Sequence, residues 1–223
     1  VLPSSKRVAR RIDLQLPSKP RTDSISCMVK DERHGRLYVA VPELGIISIV
    51  DANQLKLLKN VNASFMDVET VNKNSGPSQI ILAADKHTGD LFVYLPGEKR
   101  LLKLAGKTGD VIMETPLEVE VMDRNMLFCD GENQTLYVGN LMVDTADLSV
   151  KGRFDRDGWV VGVDSLHPEN HRYLLVSKKR GAMKDPMLVE YDSSNQATRF
   201  WTLPSVLSIT PSVVFDFQNK VFY

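Results

Sequence analysis

Cysteine is scarce in this chain, in which Cys27 and Cys129 are the two cysteines among 223 residues. Two cysteines are too few to frame a disulfide-rich secreted miniprotein, and their spacing matches no zinc motif. We expect both to be small buried residues, as free cysteine commonly is, and a single disulfide is the open alternative. A chain of this length buries roughly 70% of its unfolded surface and needs no cross-links to be stable.

Long apolar runs are also missing. The longest are short, such as "GIISIV" at 45–50, and we therefore expect no membrane span. The basic start "VLPSSKRVARR" is not followed by an apolar stretch, so no signal peptide is visible. Two N-x-S/T sequons, at Asn62 and Asn133, lean towards an extracytoplasmic or secreted location, which the sequence otherwise leaves unknown.

The chain has no excess charge of either sign, because 28 lysines and arginines balance 28 aspartates and glutamates. Nucleic-acid-binding proteins usually carry a strong basic excess, so we expect no nucleic-acid partner. Signatures of catalysis are missing as well. No G-x-S-x-G occurs, and "AGKTGD" is not a phosphate loop, because position 101 is leucine where the motif needs glycine.

The sequence does contain a repeated pattern, in which a charged turn is followed by a short apolar strand. The central residues of these strands are Tyr38, Phe92, Tyr137, Leu175 and Phe222, separated by 54, 45, 38 and 47 residues. A loose period of about 46 residues built from short strands is typical of four-stranded propeller blades.

The residues that follow this first strand also form a repeated pattern. An apolar strand ends at Asp51, Asp144 or Asp192 and is followed by a turn and another strand, whereas Ala105 occupies this position in the divergent second copy. Aspartate, asparagine, serine and glycine favour turns because they bond their own backbone or tolerate positive φ. We interpret these aspartates as structural, since a catalytic role would require chemistry at every turn.

Each repeat therefore holds four strands, named a to d. Strand a precedes a D-x-x-x-G turn, strand b holds the central residue, strand c ends at the aspartate and strand d follows. No stretch shows a helical period with caps. A single blade cannot bury both of its faces, so the blades must pack face to face around an axis. We predict an all-β protein, a β-propeller of four-stranded antiparallel blades.

The segments "GRLYVAV", "QTLYVGN", "ISIVDANQLKLLKNV" and "KRVARRIDLQLPSKP" resemble YVTN-type repeats of the quinoprotein-like β-propeller superfamily, a WD-like class of repeat. The resemblance covers nearly the whole chain. It implies a fold and leaves the chemistry open, because propellers serve as enzymes, ligand sensors and docking scaffolds alike.

We expect one domain over 1–223, with complete blades at about 24–61, 76–117, 118–154 and 158–204 and a partial blade at 205–223. The chain begins in a strand d, at about 7–16, and ends after a strand b. We expect it to be part of a larger propeller, in which an N-terminal strand pairs with the last blade.

Propeller geometry places the d–a and b–c loops on one face and the a–b and c–d turns on the other. His34, His87 and His171 fall in turns of different blades on the second face, with His167 nearby. They are too far apart to share a metal, so we expect no metal site and no cofactor. The first face also contains the carboxylates of Glu43, Asp155 and Asp157. The sequence does not indicate that any two of them lie close together.

Two loops of the first face enter the same blade. One is the long b–c loop "SKKRGAMKDPM", and the other is the d–a loop "RFDRDGWVVG". Tryptophan and arginine dominate interface hot spots, so we interpret these loops as a docking site, with solvation or core packing of the tryptophan as the alternative. The candidate binding residues are Arg156, Trp159, Lys178, Lys179, Arg180 and Lys184.

The function that these observations favour is a noncatalytic propeller scaffold. It would dock a protein or another acidic ligand through the d–a and b–c loop face, and a small-molecule ligand stays open. The alternative is an enzyme, either a lactonase-like hydrolase or a subunit of a redox enzyme, that works at the mouth of the propeller channel. A third hypothesis is a set of blades that serves as a spacer inside a larger protein.

Overall fold

The computed structural model describes residues 11–17, 27–62, 79–119, 127–155, 159–164, 171–176, 187–202, 215–216 and 221–222. Its strands form four antiparallel sheets of four strands each and one two-stranded sheet. The one helical element in these ranges is the 3₁₀ turn Pro42–Leu44. The predicted all-β class, with four complete blades and a partial one, is confirmed.

The strands of each blade follow one another in the chain. Blade 1 consists of β1 (Cys27–Asp31), β2 (Arg36–Val41), β3 (Ile46–Asp51) and β4 (Lys56–Asn62); blade 2 of β5 (Ile81–Ala84), β6 (Leu91–Leu95), β7 (Arg100–Leu104) and β8 (Val111–Pro116); blade 3 of β9 (Leu127–Asp130), β10 (Thr135–Val138), β11 (Leu141–Asp144) and β12 (Val150–Arg153); blade 4 of β13 (Trp159–Asp164), β14 (His171–Val176), β15 (Met187–Tyr191) and β16 (Ala197–Thr202); and the two-stranded sheet of β17 (Phe215–Asp216) and β18 (Val221–Phe222).

The blades are stacked around an axis with their first strands innermost. Strand β1 contacts β5, β5 contacts β9, and β9 contacts β13. The fourth strands lie outermost, and most of their described side chains are exposed. Separate apolar clusters fill the spaces between blades 1 and 2, blades 2 and 3, and blades 3 and 4. The second and third strands are thus buried on both faces, which explains why they read as continuous apolar runs.

Polar contacts cross between blades at equivalent places. The Tyr38 hydroxyl of blade 1 donates to the Gly106 carbonyl of blade 2 at 3.3 Å. Blade 2 has Phe92 in the tyrosine position, and its cross-strand partner Lys103 donates to the Thr145 carbonyl of blade 3 at 3.0 Å. An ammonium group on strand c therefore replaces the missing hydroxyl of strand b.

Buried aspartates are the last residue of the first strand in blades 1 and 3 and the residue directly after it in blade 2. Asp85 accepts hydrogen bonds from the backbone of His87 at 2.7 Å and of Thr88 at 3.3 Å. Asp31 and Asp130 make the same kind of contact in their own turns. Each carboxylate satisfies amide groups that the tight a–b turn leaves unpaired, which stabilises the turn. The turns of blades 1 and 2 have the D-x-x-x-G pattern, whereas in blade 3 Gln134 takes the left-handed position of the glycine, with φ of 49°.

Both cysteines are free thiols that are half-buried at the edges of the inter-blade clusters. Cys27 lies on β1, and burial raises the pKa of its thiol. Cys129 lies on β9, where burial has the same effect. Both pack against apolar clusters but are half-buried and not fully buried as expected, and the alternative of a disulfide between them is wrong.

Two further expectations concern the N-terminal strand and the absence of a membrane span. Residues 11–16, the described part of the predicted N-terminal strand at about 7–16, form no strand. Gln15 has a φ of 49° and donates its amide to the Asp13 carboxylate at 2.9 Å, so a local turn interrupts the extended backbone that a strand needs. In the part of the chain that the structure describes, there is no helix of the length and apolarity that crossing a membrane requires.

Close packing at Gly106 gives a test of the inter-blade contact. A Cβ at this position would overlap the Gly89 carbonyl oxygen and approach the Tyr38 hydroxyl to 2.5 Å. We expect Gly106→Ala to lower the free energy of unfolding by about 1–3 kcal/mol, because backbone must move to make room. A Cβ at Gly97 meets nothing within 4 Å, so Gly97→Ala should change stability by at most about 0.5–1 kcal/mol. Urea unfolding measures both, and equal losses would contradict this packing.

Candidate binding face

The loop face is formed by the b–c and d–a connections, of which the structure describes several. In blade 1 the b–c connection is the 3₁₀ turn Pro42–Leu44, which ends at Gly45 in the left-handed conformation with φ of 60°. Gly45 donates its amide to the Pro42 carbonyl at 2.9 Å. Glu43 is exposed at the top of this turn. The turn is three residues long, so this part of the loop face lies close to the strand ends of blade 1.

In blade 2 the same face carries a network of ion pairs. Arg100 pairs with Glu98 at 3.2 Å and also with Glu114 on the next strand. Lys99 pairs with Glu118, which lowers the pKa of that carboxyl group through hydrogen bonding and charge attraction. Burial raises the pKa of Glu98, and the charge of Arg100 opposes that change. Three carboxylates face two cations in this network, so both cations are paired and this part of the face has an excess of one negative charge.

Sequence reasoning missed this network, although a signal for it exists. Arg100 is the cross-strand partner of Pro116. Glu114, two residues before Pro116 on the same strand, shares a face with it because side chains alternate. Opposite charges at such diagonal positions favour pairing, and the pattern can be read once the register is known.

An aromatic contact in the apolar cluster between blades 3 and 4 fixes the start of the d–a loop that joins them. The Phe154 ring lies 4.7 Å from the Tyr191 ring, centre to centre, and the Phe154 amide donates to the Asn140 carbonyl at 2.9 Å. The Tyr191 hydroxyl donates to the carboxylate of Asp155. Asp155 is therefore held by blade 4, whereas the neighbouring carboxylate predicted on this loop, Asp157, lies outside the described residues.

The predicted docking residues fall at blade 4. Trp159 is the first residue of β13, and its backbone pairs with Leu175 of β14. Strand β14 ends one residue later, at Val176, and β15 begins at Met187. The long basic loop joins those two strand ends. The predicted residues Arg156, Lys178, Lys179, Arg180 and Lys184 lie outside the described residues, as does the side chain of Trp159.

On the opposite face the acidic groups stabilise their own turns. Asp192 accepts from the Ser194 hydroxyl at 2.7 Å and from the Gln196 amide at 2.9 Å. These bonds lower the pKa of its carboxyl group. Asp51 and Asp144 bond their turns in the same way, which confirms the structural interpretation of the strand-c aspartates.

The histidines of that face are also part of turns. His34 Nδ1 lies 2.8 Å from the buried Asp31 carboxylate, and His87 lies in the next blade within the turn of Asp85. Among the described residues, no group of three or more histidine, cysteine or acidic side chains could hold a metal ion. His171 begins β14, and His167 lies outside those residues.

Solved structures similar to this chain are propellers or contain them. The chain matches Kuenenia stuttgartiensis hydrazine synthase with a TM-score of 0.61, 13% identity, and coverage of 85% of this chain and 52% of that one. It matches the β-propeller domain of Myceliophteria thermophila Cps50 (Swd1) with a TM-score of 0.59, 8% identity, and coverage of 91% and 62%. For the structure of U3-55K the TM-score is 0.55, the identity 10%, and the coverage 82% and 53%.

These similarities support the propeller fold. At such low identity they indicate nothing about activity. The chain spans about half to three-fifths of the length of the chains it matches. No protein-family model and no curated protein matches it, so membership of the YVTN-type family stays a prediction.

The turn at Asp192 gives a pH-dependent prediction. A carboxyl group with a lowered pKa in the folded state stabilises the fold above its unfolded pKa and loses that contribution as the pH falls through the folded pKa. We expect Asp192→Asn to flatten the fall in stability between roughly pH 5 and pH 3. Ser194→Ala, which removes the hydroxyl donor, should flatten it in part. Urea unfolding across this range measures the slope, and an unchanged slope in both variants would contradict the assignment.

Proposed function

We propose that this chain is a noncatalytic β-propeller scaffold that docks an acidic protein through its d–a and b–c loop face. The docking site consists of Arg156, Trp159, Lys178, Lys179, Arg180 and Lys184. A row of cations beside a tryptophan suits an acidic polypeptide, since the cations attract carboxylates and the indole supplies apolar contact area.

The observation that carries this proposal is the strand register of blade 4. Trp159 pairs with Leu175, one residue before the end of the strand from which the basic loop leaves. The strand ends that these two loops join therefore lie side by side at one end of a single blade. The blade 2 part of the face also supports it, because both cations there are paired with carboxylates and the network has an excess of one negative charge.

The opposite face supports the proposal in another way. Its aspartates bond the turns that contain them, from Asp31 and Asp51 in blade 1 to Asp192 in blade 4. Groups that hold their own turns are poorly placed to recognise a partner without loss of stability. The loop face is where side chains can vary without cost to the fold.

A charge-reversal variant tests this site. We expect the triple variant Lys178→Glu, Lys179→Glu, Arg180→Glu to lose most of its binding to immobilised poly-L-glutamate at low salt, while its thermal unfolding stays unchanged. The matched control reverses Arg33, Lys56 and Lys107, three exposed residues of the opposite face. Because both variants change the net charge equally, a difference between them reports the location of the site. Equal loss in both, or full binding by the first, would contradict the proposal.

The enzyme alternative is separated by a second measurement on the intact protein. Metal analysis combined with a screen for lactone hydrolysis should show neither stoichiometric metal nor turnover. Turnover that is lost on chelation would favour a lactonase-like hydrolase instead. The result is independent of the binding experiment, since it does not involve the basic loop.

A further inference from the structure

The fourth strand of each blade lies at the edge of its sheet among the described strands. An exposed edge can pair with a strand of another chain, and proteins prevent this with lysine, proline, short strands, bulges or a covering segment. All four outer strands contain a bulge at the equivalent position, where the register to the third strand shifts by one residue; the extra residues are Leu58, Ile112, Lys151 and Thr198. A bulge twists the strand locally, so it protects the start of each edge.

Beyond the bulge, three of the four outer strands have further protection. Strand β4 continues with Lys59, and its Asn60 side chain donates to the Leu14 carbonyl of the N-terminal segment at 2.9 Å. Strand β8 ends in Pro116, which has no amide hydrogen to offer another strand. Strand β12 ends two residues after its bulge, at Arg153. These three edges are therefore poor templates for a further strand.

Strand β16 differs from the others. After its bulge it continues as Arg199, Phe200, Trp201 and Thr202, with no lysine, proline or glycine, and these four residues are exposed. The exposed fraction is 51% for Phe200 and 36% for Trp201. Among the described outer strands, β16 is the one that contains aromatic residues. Aromatic cross-strand pairs stabilise antiparallel sheets, so this edge is suited to accept a further strand.

Contacts within blade 4 show which way these side chains point. The Arg199 Nε atom lies 3.6 Å from the Glu190 carboxylate. The Trp201 ring lies 6.3 Å from the Tyr173 ring, centre to centre. Because the Tyr173 hydroxyl donates to Glu190 at 3.4 Å, all four side chains are on one face of the sheet. Phe200 points to the opposite face, since side chains alternate along a strand.

This order of side chains is complementary to itself. If two copies of β16 pair antiparallel about a two-fold axis at Phe200, the two Phe200 side chains lie opposite each other on one face of the joined sheet. On the other face, Arg199 of each copy lies opposite Trp201 of the second copy. Arginine over tryptophan is a favourable cation–π pair, and 73% of the Arg199 side chain is exposed and accessible for it. A second copy of the chain supplies this pattern by symmetry.

We propose that the edge of β16 is a homodimer interface, at which blade 4 of one copy and blade 4 of a second copy form one continuous antiparallel sheet. The pairing involves mainly 199–202, so it buries less than the roughly 1,600 Å² of a standard interface. The dimer is therefore weak and forms at high protein concentration. The interface does not include the residues of the basic loop, so its test is independent of the function proposed above.

Sedimentation velocity on the whole chain, over a concentration series that reaches the millimolar range, measures the dimer. The wild type should show a concentration-dependent dimer. Phe200→Lys sets two lysines opposite each other across the axis and removes the aromatic pair, so the dissociation constant should rise about tenfold. The matched control is Ile112→Lys, which makes the same charge change on β8 at an equally exposed side chain and should leave the dissociation constant unchanged.

A charge exchange at residue 200 tests the two-fold axis. Phe200→Glu alone should also weaken the dimer about tenfold, because two glutamates then lie opposite each other. An equimolar mixture of Phe200→Lys and Phe200→Glu should recover most of the lost affinity, since residue 200 then meets the opposite charge. A mixture of Ile112→Lys and Ile112→Glu controls for general attraction and should bind no more tightly than the wild type. Thermal unfolding checks that each variant is folded.

A wild type that stays monomeric throughout the series would overturn the proposal. Equal effects of Phe200→Lys and Ile112→Lys, including no effect of either, would place the interface elsewhere and overturn it too. Failure of the mixture at residue 200 to recover affinity would show that this residue does not meet itself, which contradicts the two-fold pairing. Loss in each single variant at residue 200 and recovery in their mixture supports the β16 interface.

Discussion

The fold depends on one constraint, which is that both apolar faces of each four-stranded sheet must be shielded from water. Strands β2 and β3, like their equivalents in blades 2 and 3, carry apolar side chains in both directions. A sheet four strands wide cannot shield both faces by itself, so each blade covers its neighbour. Burial of apolar area at about 25 cal/mol per Å² is the main force that holds this stack together. The apolar clusters between adjacent blades are the places where the faces of two sheets are buried against each other.

Polar groups at the blade junctions specify how the blades are aligned. At the first junction the Tyr38 hydroxyl reaches the turn of blade 2, and at the second Lys103 reaches the turn of blade 3. Lys103 also lies 5.9 Å from the centre of the Phe92 ring and 3.2 Å from the Asp90 carboxylate. Its charge is thus compensated at a site that is largely buried. Tyrosine at one junction and lysine at the other thus have the same role. Each donates a hydrogen bond to the backbone carbonyl that follows strand c of the next blade.

The fold could be predicted from the sequence because strands and turns are indicated by residues close to one another in the chain. The central strand residues such as Tyr38 and Tyr137, and turn residues such as Asp51 and Asp144, follow from strand pattern and turn chemistry alone. The Lys103–Thr145 contact and the tether from Asn60 to Leu14 could not be predicted in this way. They join residues 42 and 46 positions apart, and their partners are known only once the blades are stacked. The docking residues of blade 4 were found by composition and loop length, and their role stays a prediction.

Radial stacking of the blades is tested most directly by nuclear Overhauser contacts between residues of adjacent blades. The account predicts contacts from the Tyr38 ring to Gly106 across the first junction and from the Phe92 ring to residues of blade 3 such as Leu136, which belong to the same apolar cluster at the second junction. Cross-strand contacts between β4 and β5 in place of these would show one continuous sheet. That result would contradict the stacked arrangement and with it the loop face and the outer strand edges on which the binding proposals rest.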